Sequence, residues 1–167
     1  MYMVEKPSRL IWVVLTQGTR PKALSAALAS IASQADDAGR IAQVIVNGDG
    51  AVDAMGQAVE TVGKNLGIPG GRNLGAELVN AELIGFLDDD AELSVGVASA
   101  VLEAFDGDPS LGAVALRLVD EEGLTARRHT PRLGASGVAE SGKVALFLGG
   151  ASVVRRSAFE EVGGYFS

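Results

Sequence analysis

The sequence has no cysteine, one histidine and few aromatic residues, and these shortages exclude several classes of protein. Without cysteine the chain forms no disulfide framework and offers no thiolate to a metal ion. Aromatic residues make up 5% of the chain, too few to stack the bases of single-stranded nucleic acid. The 14 basic and 21 acidic side chains give a net charge of −7, which disfavours phosphate backbones. We therefore expect no nucleic-acid partner.

Long hydrophobic runs are also missing. The apolar run over residues 10–15 is far too short for a membrane span or for the core of a signal peptide. We therefore expect a cytoplasmic protein without a membrane span. Its 167 residues, 47% of them hydrophobic, are enough for one domain with a sizeable core.

Apolar segments of two kinds alternate along the chain. Buried strands are predicted where β-branched residues run together, and helices where apolar residues recur every three or four positions. The predicted strands cover residues 10–15, 41–46, 83–87 and 111–119, and the predicted helices cover 21–36, 52–62, 70–80, 93–105 and 157–162. Residues 124–143 have no clear period and are predicted to form a long loop. This order predicts an α/β fold with a mostly parallel sheet.

Three consecutive aspartates, Asp88, Asp89 and Asp90, follow the third predicted strand. Ligands of open α/β sheets gather at the carboxyl ends of strands. In extended backbone the first and third carboxylates share one side, so Asp88 and Asp90 could hold one divalent cation. Mg²⁺ and Mn²⁺ prefer such oxygens and leave their other positions to phosphates and water. The alternative is a solvated turn that caps the next helix.

Other catalytic patterns are weakly supported. Neither Gly48-Asp49-Gly50 nor Gly70-Gly71-Arg72 continues into a dinucleotide-binding fingerprint after the first strand. A nucleophile triad is also weakly supported, because the chain has no cysteine and no Gly-x-Ser-x-Gly turn. Its one candidate base, His129, is predicted to lie in a loop.

The order of the motifs resembles the nucleotide-sugar-binding part of family 2 glycosyltransferases. The segments that carry this resemblance are Thr16 with Arg20-Pro21, the run from Asn65 to Gly75, the aspartates after Phe86-Leu87, and the stretch from Gly149-Gly150 to Gly163-Gly164-Tyr165. Together they cover nearly the whole chain. The resemblance implies the GT-A fold, a Rossmann-like three-layer α/β/α arrangement with a mostly parallel central sheet.

The resemblance also implies roles for individual residues. Asp88 and Asp90 match the family's D-x-D motif, which holds Mn²⁺ or Mg²⁺ on the diphosphate. Asn47 stands where many members have an aspartate that contacts the base, which leaves the identity of the base open. For Arg72 and Asn73 a structural role at a helix start is the alternative. The residues implied to bind the nucleotide sugar are Thr16, Gln17, Gly18, Arg20, Asn47, Asp49, Asn65, Arg72, Asn73, Asp88 and Asp89.

The implied reaction transfers a sugar from a nucleotide-diphosphate donor to an acceptor hydroxyl with inversion. In the family, the catalytic base follows the Gly-Gly-Tyr segment, so we expect it beyond Ser167 and expect residues 1–167 to be a single, C-terminally truncated GT-A-like domain. Two alternatives remain. One is a nucleotide-sugar-binding module without catalysis; the other is a nucleotidyltransferase, whose phosphate loop would need more glycine than Gln17-Gly18-Thr19-Arg20 has.

Overall fold

The computed structural model describes residues 6–35, 37–125, 142–144 and 147–166, and contains six strands and four α-helices within these ranges. The predicted loop over residues 124–143 lies almost entirely outside them. The strands are β1 (Ser8–Thr16), β2 (Ala42–Val46), β3 (Ala58–Thr61), β4 (Ala81–Asp88), β5 (Ala113–Ala115) and β6 (Ala151–Arg155). The helices are α1 (Pro21–Ala32), α2 (Gly67–Leu78), α3 (Val97–Gly107) and α4 (Arg156–Glu161).

All six strands form one sheet in the order β3-β2-β1-β4-β6-β5. Strands β1 to β4 pair in parallel, whereas β6 pairs antiparallel with both β4 and β5. The chain moves outward from β1 through β2 to β3 and then returns to place β4 on the other side of β1. The sheet therefore has a topological switch point between β1 and β4, where α/β proteins bind their ligands.

The alternation of side chains along the strands divides the core between two faces of the sheet. On one face Trp12, Val14, Val44 and Leu87 are buried with α1 and α3. On the other face Val13, Ile45 and Phe86 are buried with α2 and α4. This arrangement confirms the predicted three-layer α/β/α fold with a mostly parallel sheet.

One predicted element is wrong and another is too long. Residues 52–62 were expected to be helical, but Met55 and Gly56 have positive φ values of 51° and 82°, and the following residues form β3, an exposed edge strand. The predicted strand over residues 111–119 is reduced to Ala113–Ala115 because only these residues pair with β6.

Two glycines let α2 lie close to the sheet. A Cβ atom at Gly71 would overlap the side chain of Leu15, and one at Gly75 would overlap that of Val13. The two glycines are four residues apart and therefore lie on one face of the helix. Their close packing on β1 brings the middle of α2 next to the carboxyl end of the sheet.

A third glycine, Gly85, allows close packing on the opposite face of the sheet. It lies beside Trp12 in the β1–β4 register. A Cβ atom at Gly85 would overlap the indole ring, which is fully buried and donates from Nε1 to the Gly39 carbonyl at 3.1 Å. We predict that Gly85→Ala lowers the free energy of unfolding by about 1–3 kcal/mol, the usual cost of overpacking a core.

Urea denaturation measures this loss. Gly107→Ala is the control, because no atom lies within 4 Å of a Cβ at that position and its φ is not positive. A Gly85→Ala protein as stable as the Gly107→Ala protein would contradict this account of the packing.

Candidate functional site

A cleft of about 640 Å³ opens at the switch point between β1 and β4. The parallel register sets Leu15 beside Asp88 and Thr16 beside Val46, so the ends of three strands meet at this edge. The residues that line the cleft are Leu15, Thr16, Gln17, Thr19, Arg20, Asn47, Asn65, Gly67, Ile68, Asp88, Asp89 and Asp90.

Asp89 is the buried member of the aspartate triplet, with 2% of its surface exposed. One carboxylate oxygen accepts a hydrogen bond from the Thr16 hydroxyl at 2.5 Å, and the other accepts one from Arg20 at 2.5 Å. Arg20 also pairs with Asp90. The carboxylates of Asp89 and then Asp90 raise the pKa of Arg20, whose guanidinium lies at the mouth of the cleft.

Asp88 is held from a different side. Its carboxylate accepts a hydrogen bond from Arg72 Nη2 at 2.7 Å, and its backbone N–H donates to the Gly150 carbonyl at 3.1 Å. A Cβ atom at Gly150 would overlap the Asp88 carboxylate, and one at Gly149 would overlap the Arg72 guanidinium. The two glycines that precede β6 therefore give the ion pair the space it occupies.

The helix-cap alternative for the aspartates is wrong. Helix α3 begins at Val97 with Gly96 as its N-cap, several residues beyond Asp90, and has no acidic residue in its first turn. The argument from extended backbone also needs correction, because β4 ends at Asp88 and the next two aspartates lie in a turn that the Ala91 N–H closes on the Asp88 carbonyl. In that turn Asp90 shares Arg20 with Asp89 instead of sharing a partner with Asp88.

Asp88 and Asp90 nevertheless have features that suit a hard cation. Their side chains are 49% and 51% exposed, and each has one carboxylate oxygen that accepts no hydrogen bond from the residues described. Within the described ranges no group of three or more acidic, histidine or cysteine side chains is arranged to hold a metal ion. Mg²⁺ commonly takes only one or two protein carboxylates and completes its shell with phosphate and water, and the exposed oxygens of Asp88 and Asp90 are ligands of that chemical kind.

Asn47 closes the other side of the cleft and is 4% exposed. Its amide nitrogen donates to Asn65 Oδ1 at 3.1 Å and to the Gly67 carbonyl at 3.0 Å, and its oxygen accepts from the Leu66 N–H at 2.8 Å. The backbone N–H of Asn47 donates to the Thr16 carbonyl at 2.8 Å. Asn47 thus joins the ends of β1 and β2 to the start of α2, a task that needs an amide rather than a carboxylate.

The remaining sequence-predicted residues divide between the cleft and other positions. Gln17 lines the cleft, and the Gly18 N–H donates to the Thr16 hydroxyl at 3.0 Å. Asp49 is exposed on the 47–50 turn and does not line the cleft. Asn73 lines a separate cavity of about 400 Å³ on the α2 and α4 side. Arg72 and Asn73 lie in the middle of α2, so neither caps its start.

Sequence reasoning missed roles at Tyr165 and Ile68, although it quoted both residues within the motifs. Ile68 is 58% exposed and lines the cleft from the first turn of α2. Tyr165 packs against Phe86 and Phe159 and lies under Arg72. Burial raises the pKa of the Tyr165 phenol. For Tyr165, the sequence shows an aromatic residue after two glycines. That pattern alone does not indicate which residues the ring contacts.

A model of glycosyl transferase family 2 matches residues 13–163, which run from the second half of β1 to the end of α4. The chain belongs to this family. The matched range contains the cleft, the three aspartates and the Gly149-Gly150 turn. A search of curated proteins gave no match.

Solved structures show the same GT-A fold. TarS residues 1–349 from S. aureus matches with a TM-score of 0.72 at 15% identity, over 95% of this chain and 50% of that one. A crystal structure of the same TarS range contains UDP-GlcNAc and matches with a TM-score of 0.70 at 14% identity, over 95% of this chain and 48% of that one. The mannosyltransferase PcManGT from Pyrobaculum calidifontis, in complex with GDP-Man and Mn²⁺, matches with a TM-score of 0.64 at 16% identity, over 98% of this chain and 48% of that one.

The chain therefore spans about half the length of these TarS and mannosyltransferase chains. Among its described residues, no helix is long and apolar enough to cross a membrane.

The hydrogen bonds of Asn47 lead to a test of its structural role. In Asn47→Asp, two donated bonds are lost and a carboxylate faces the oxygens of Asn65 and Gly67. We predict a loss of roughly 2–4 kcal/mol in the free energy of unfolding, because buried groups are left unpaired.

Chemical denaturation at neutral pH measures the change. Gln57→Glu is the matched control, since the Gln57 side-chain oxygen accepts from the Ala42 N–H at 2.8 Å and its amide nitrogen donates no bond to the residues that the structure describes. Equal stability of the two variants would show that the Asn47 amide does not hold the cleft together.

Proposed function

We propose that the chain binds a nucleotide-diphosphate sugar in the switch-point cleft and belongs to a transferase that moves the sugar to an acceptor hydroxyl with inversion. The observation that supports this most is the meeting of Thr16, Arg20 and the Asp88–Asp90 turn at the end of β1 and β4, in a chain of glycosyl transferase family 2. Neighbours of the same fold bind UDP-GlcNAc and GDP-Man, which supports a donor of this class.

In this proposal different residues of the cleft bind different parts of the donor. Asp88 and Asp90 would hold Mn²⁺ or Mg²⁺, consistent with the Mn²⁺ named with the mannosyltransferase. Such an ion, when bound, acts as a Lewis acid toward the diphosphate oxygens. The Arg20 guanidinium lies at the cleft mouth and supplies positive charge toward phosphate. Gln17, Asn65 and Ile68 line the part of the cleft left for the nucleoside.

Glycosyl transfer also needs a base that takes the proton of the acceptor hydroxyl. By the family resemblance this base follows the Gly-Gly-Tyr segment, and we place it beyond Ser167. Glu160 and Glu161 are not assigned the role, since Glu160 pairs with Arg156 at 3.4 Å and Glu161 is exposed at the end of α4.

Calorimetric binding of UDP and of GDP, each with and without MnCl₂, tests the proposal. We predict that Mn²⁺ tightens binding of at least one nucleotide by about tenfold or more, a gain of about 1.4 kcal/mol. The double variant Asp88→Asn, Asp90→Asn is expected to lose this gain.

The matched control removes two acidic charges elsewhere. Glu82 and Asp106 are about half exposed and both pair with Arg9, at 3.2 and 2.6 Å, so Glu82→Gln with Asp106→Asn makes the same change in net charge. Equal binding with and without Mn²⁺ in the unaltered protein would overturn the metal-dependent site. Binding of a nucleotide sugar with neither transfer nor hydrolysis would favour the alternative of a non-catalytic binding module.

A further inference from the structure

Tyr165 lies where three parts of the chain meet. Its ring packs edge-on against Phe86 of β4 at 5.3 Å between centroids and against Phe159 of α4 at 5.6 Å. Phe86 lies two residues before Asp88 on the same strand. The aromatic cluster thus connects the segment after α4 with the strand that carries the first aspartate.

The backbone of Tyr165 is tied to α2 in both directions. The Asn73 amide nitrogen donates to the Tyr165 carbonyl at 2.9 Å, and the Tyr165 N–H donates to Asn73 Oδ1 at 2.9 Å. These two bonds join residues 92 positions apart. Gly163 and Gly164, with φ values of 78° and 76°, turn the chain into this position. The tyrosine ring is therefore fixed relative to the helix that carries Arg72.

Arg72 occupies the space between this ring and Asp88. Its guanidinium carbon lies 5.6 Å from the Tyr165 ring centroid, and Nη2 donates to Asp88 at 2.7 Å. Gly149 closes a third side, because a Cβ there would overlap Nη1 of the guanidinium. A long side chain with several rotatable bonds is thereby held in one place, with 9% of its surface exposed.

We propose that Tyr165 is a positioning residue for the donor site, whose ring holds the Arg72 guanidinium and through it the carboxylate of Asp88. The inference rests on the proposed function, since Asp88 matters here as a metal-binding carboxylate. We assign the effect to the ring, because the Arg72 guanidinium lies over it, whereas the buried hydroxyl faces Ser152 and makes no hydrogen bond to Arg72 or Asp88. A cation over an aromatic face is attracted to it whether or not the ring has a hydroxyl.

Two readouts on the 167-residue chain test this role. The first is the NMR signal of the Arg72 Nε–H group in the protein without added ligand, which reports whether the guanidinium is held. The second is the gain in UDP or GDP affinity on addition of MnCl₂. Tyr165→Leu is expected to shift or broaden the Arg72 signal and to reduce the Mn²⁺-dependent gain about tenfold, as loss of a group that orients a metal ligand does. Tyr165→Phe is expected to leave both readouts unchanged.

Phe105→Leu is the matched control, because Phe105 is also buried and has an arginine, Arg155, over its ring at 5.1 Å. It is expected to lower stability without changing either readout. In an Arg72→Met background, Tyr165→Leu should cause no further loss of nucleotide affinity if the ring acts through Arg72. If the Tyr165→Leu protein does not fold, Tyr165→Met takes its place, because methionine is a large apolar side chain without a ring.

An Arg72 signal unchanged in Tyr165→Leu would overturn the proposal, as would an equal loss of affinity in the Arg72→Met background. A failure of the proposed function would give a different result. In that case the unaltered protein shows no Mn²⁺-dependent nucleotide binding, while the Arg72 signal still reports whether Tyr165 holds the guanidinium.

Discussion

The parallel pairing of β1 with β4 is the constraint on which the rest of the site depends. It sets Leu15 beside Asp88, so the loop after β1 and the aspartate turn after β4 open at the same edge of the sheet. The chain leaves β3, passes through α2 and returns on the other side of β1 as β4, so the strand order reverses at this edge. Gly71 and Gly75 then bring α2 against β1, which places Arg72 within reach of Asp88.

Charge in the cleft follows from this geometry. Three aspartates at the end of one buried strand would repel each other if they faced the same space. Arg20 approaches from the β1 side and Arg72 from α2, so the triplet is divided between two cations. Asp89 is buried and accepts hydrogen bonds from Thr16 and Arg20, whereas Asp88 and Asp90 keep exposed oxygens. The net charge of −7 thus includes three carboxylates that line the cleft.

Much of the fold could be predicted from the sequence because β1, β2 and β4 are buried on both faces and therefore consist of continuous apolar runs. The edge strand β3 gives no such signal: all four of its residues are exposed, and its alanine and glutamate suggested a helix. The aspartate turn was found from local sequence. Two contacts could not be predicted in this way. The hydrogen bond from Asn47 to Gly67 joins residues 20 positions apart, and the one between Tyr165 and Asn73 joins residues 92 positions apart. The local sequence does not indicate partners at such distances along the chain.

The central claim is that the switch-point cleft is where a nucleotide diphosphate binds, and NMR mapping of the backbone amides tests it most directly. On titration with UDP or GDP in the presence of Mg²⁺, we predict shifts at Thr16, Gln17 and the Asp88–Asp90 turn. Amides around the separate cavity beside Ala76 and Glu77 should not change. Shifts confined to that second cavity, or none at saturating nucleotide, would contradict the account.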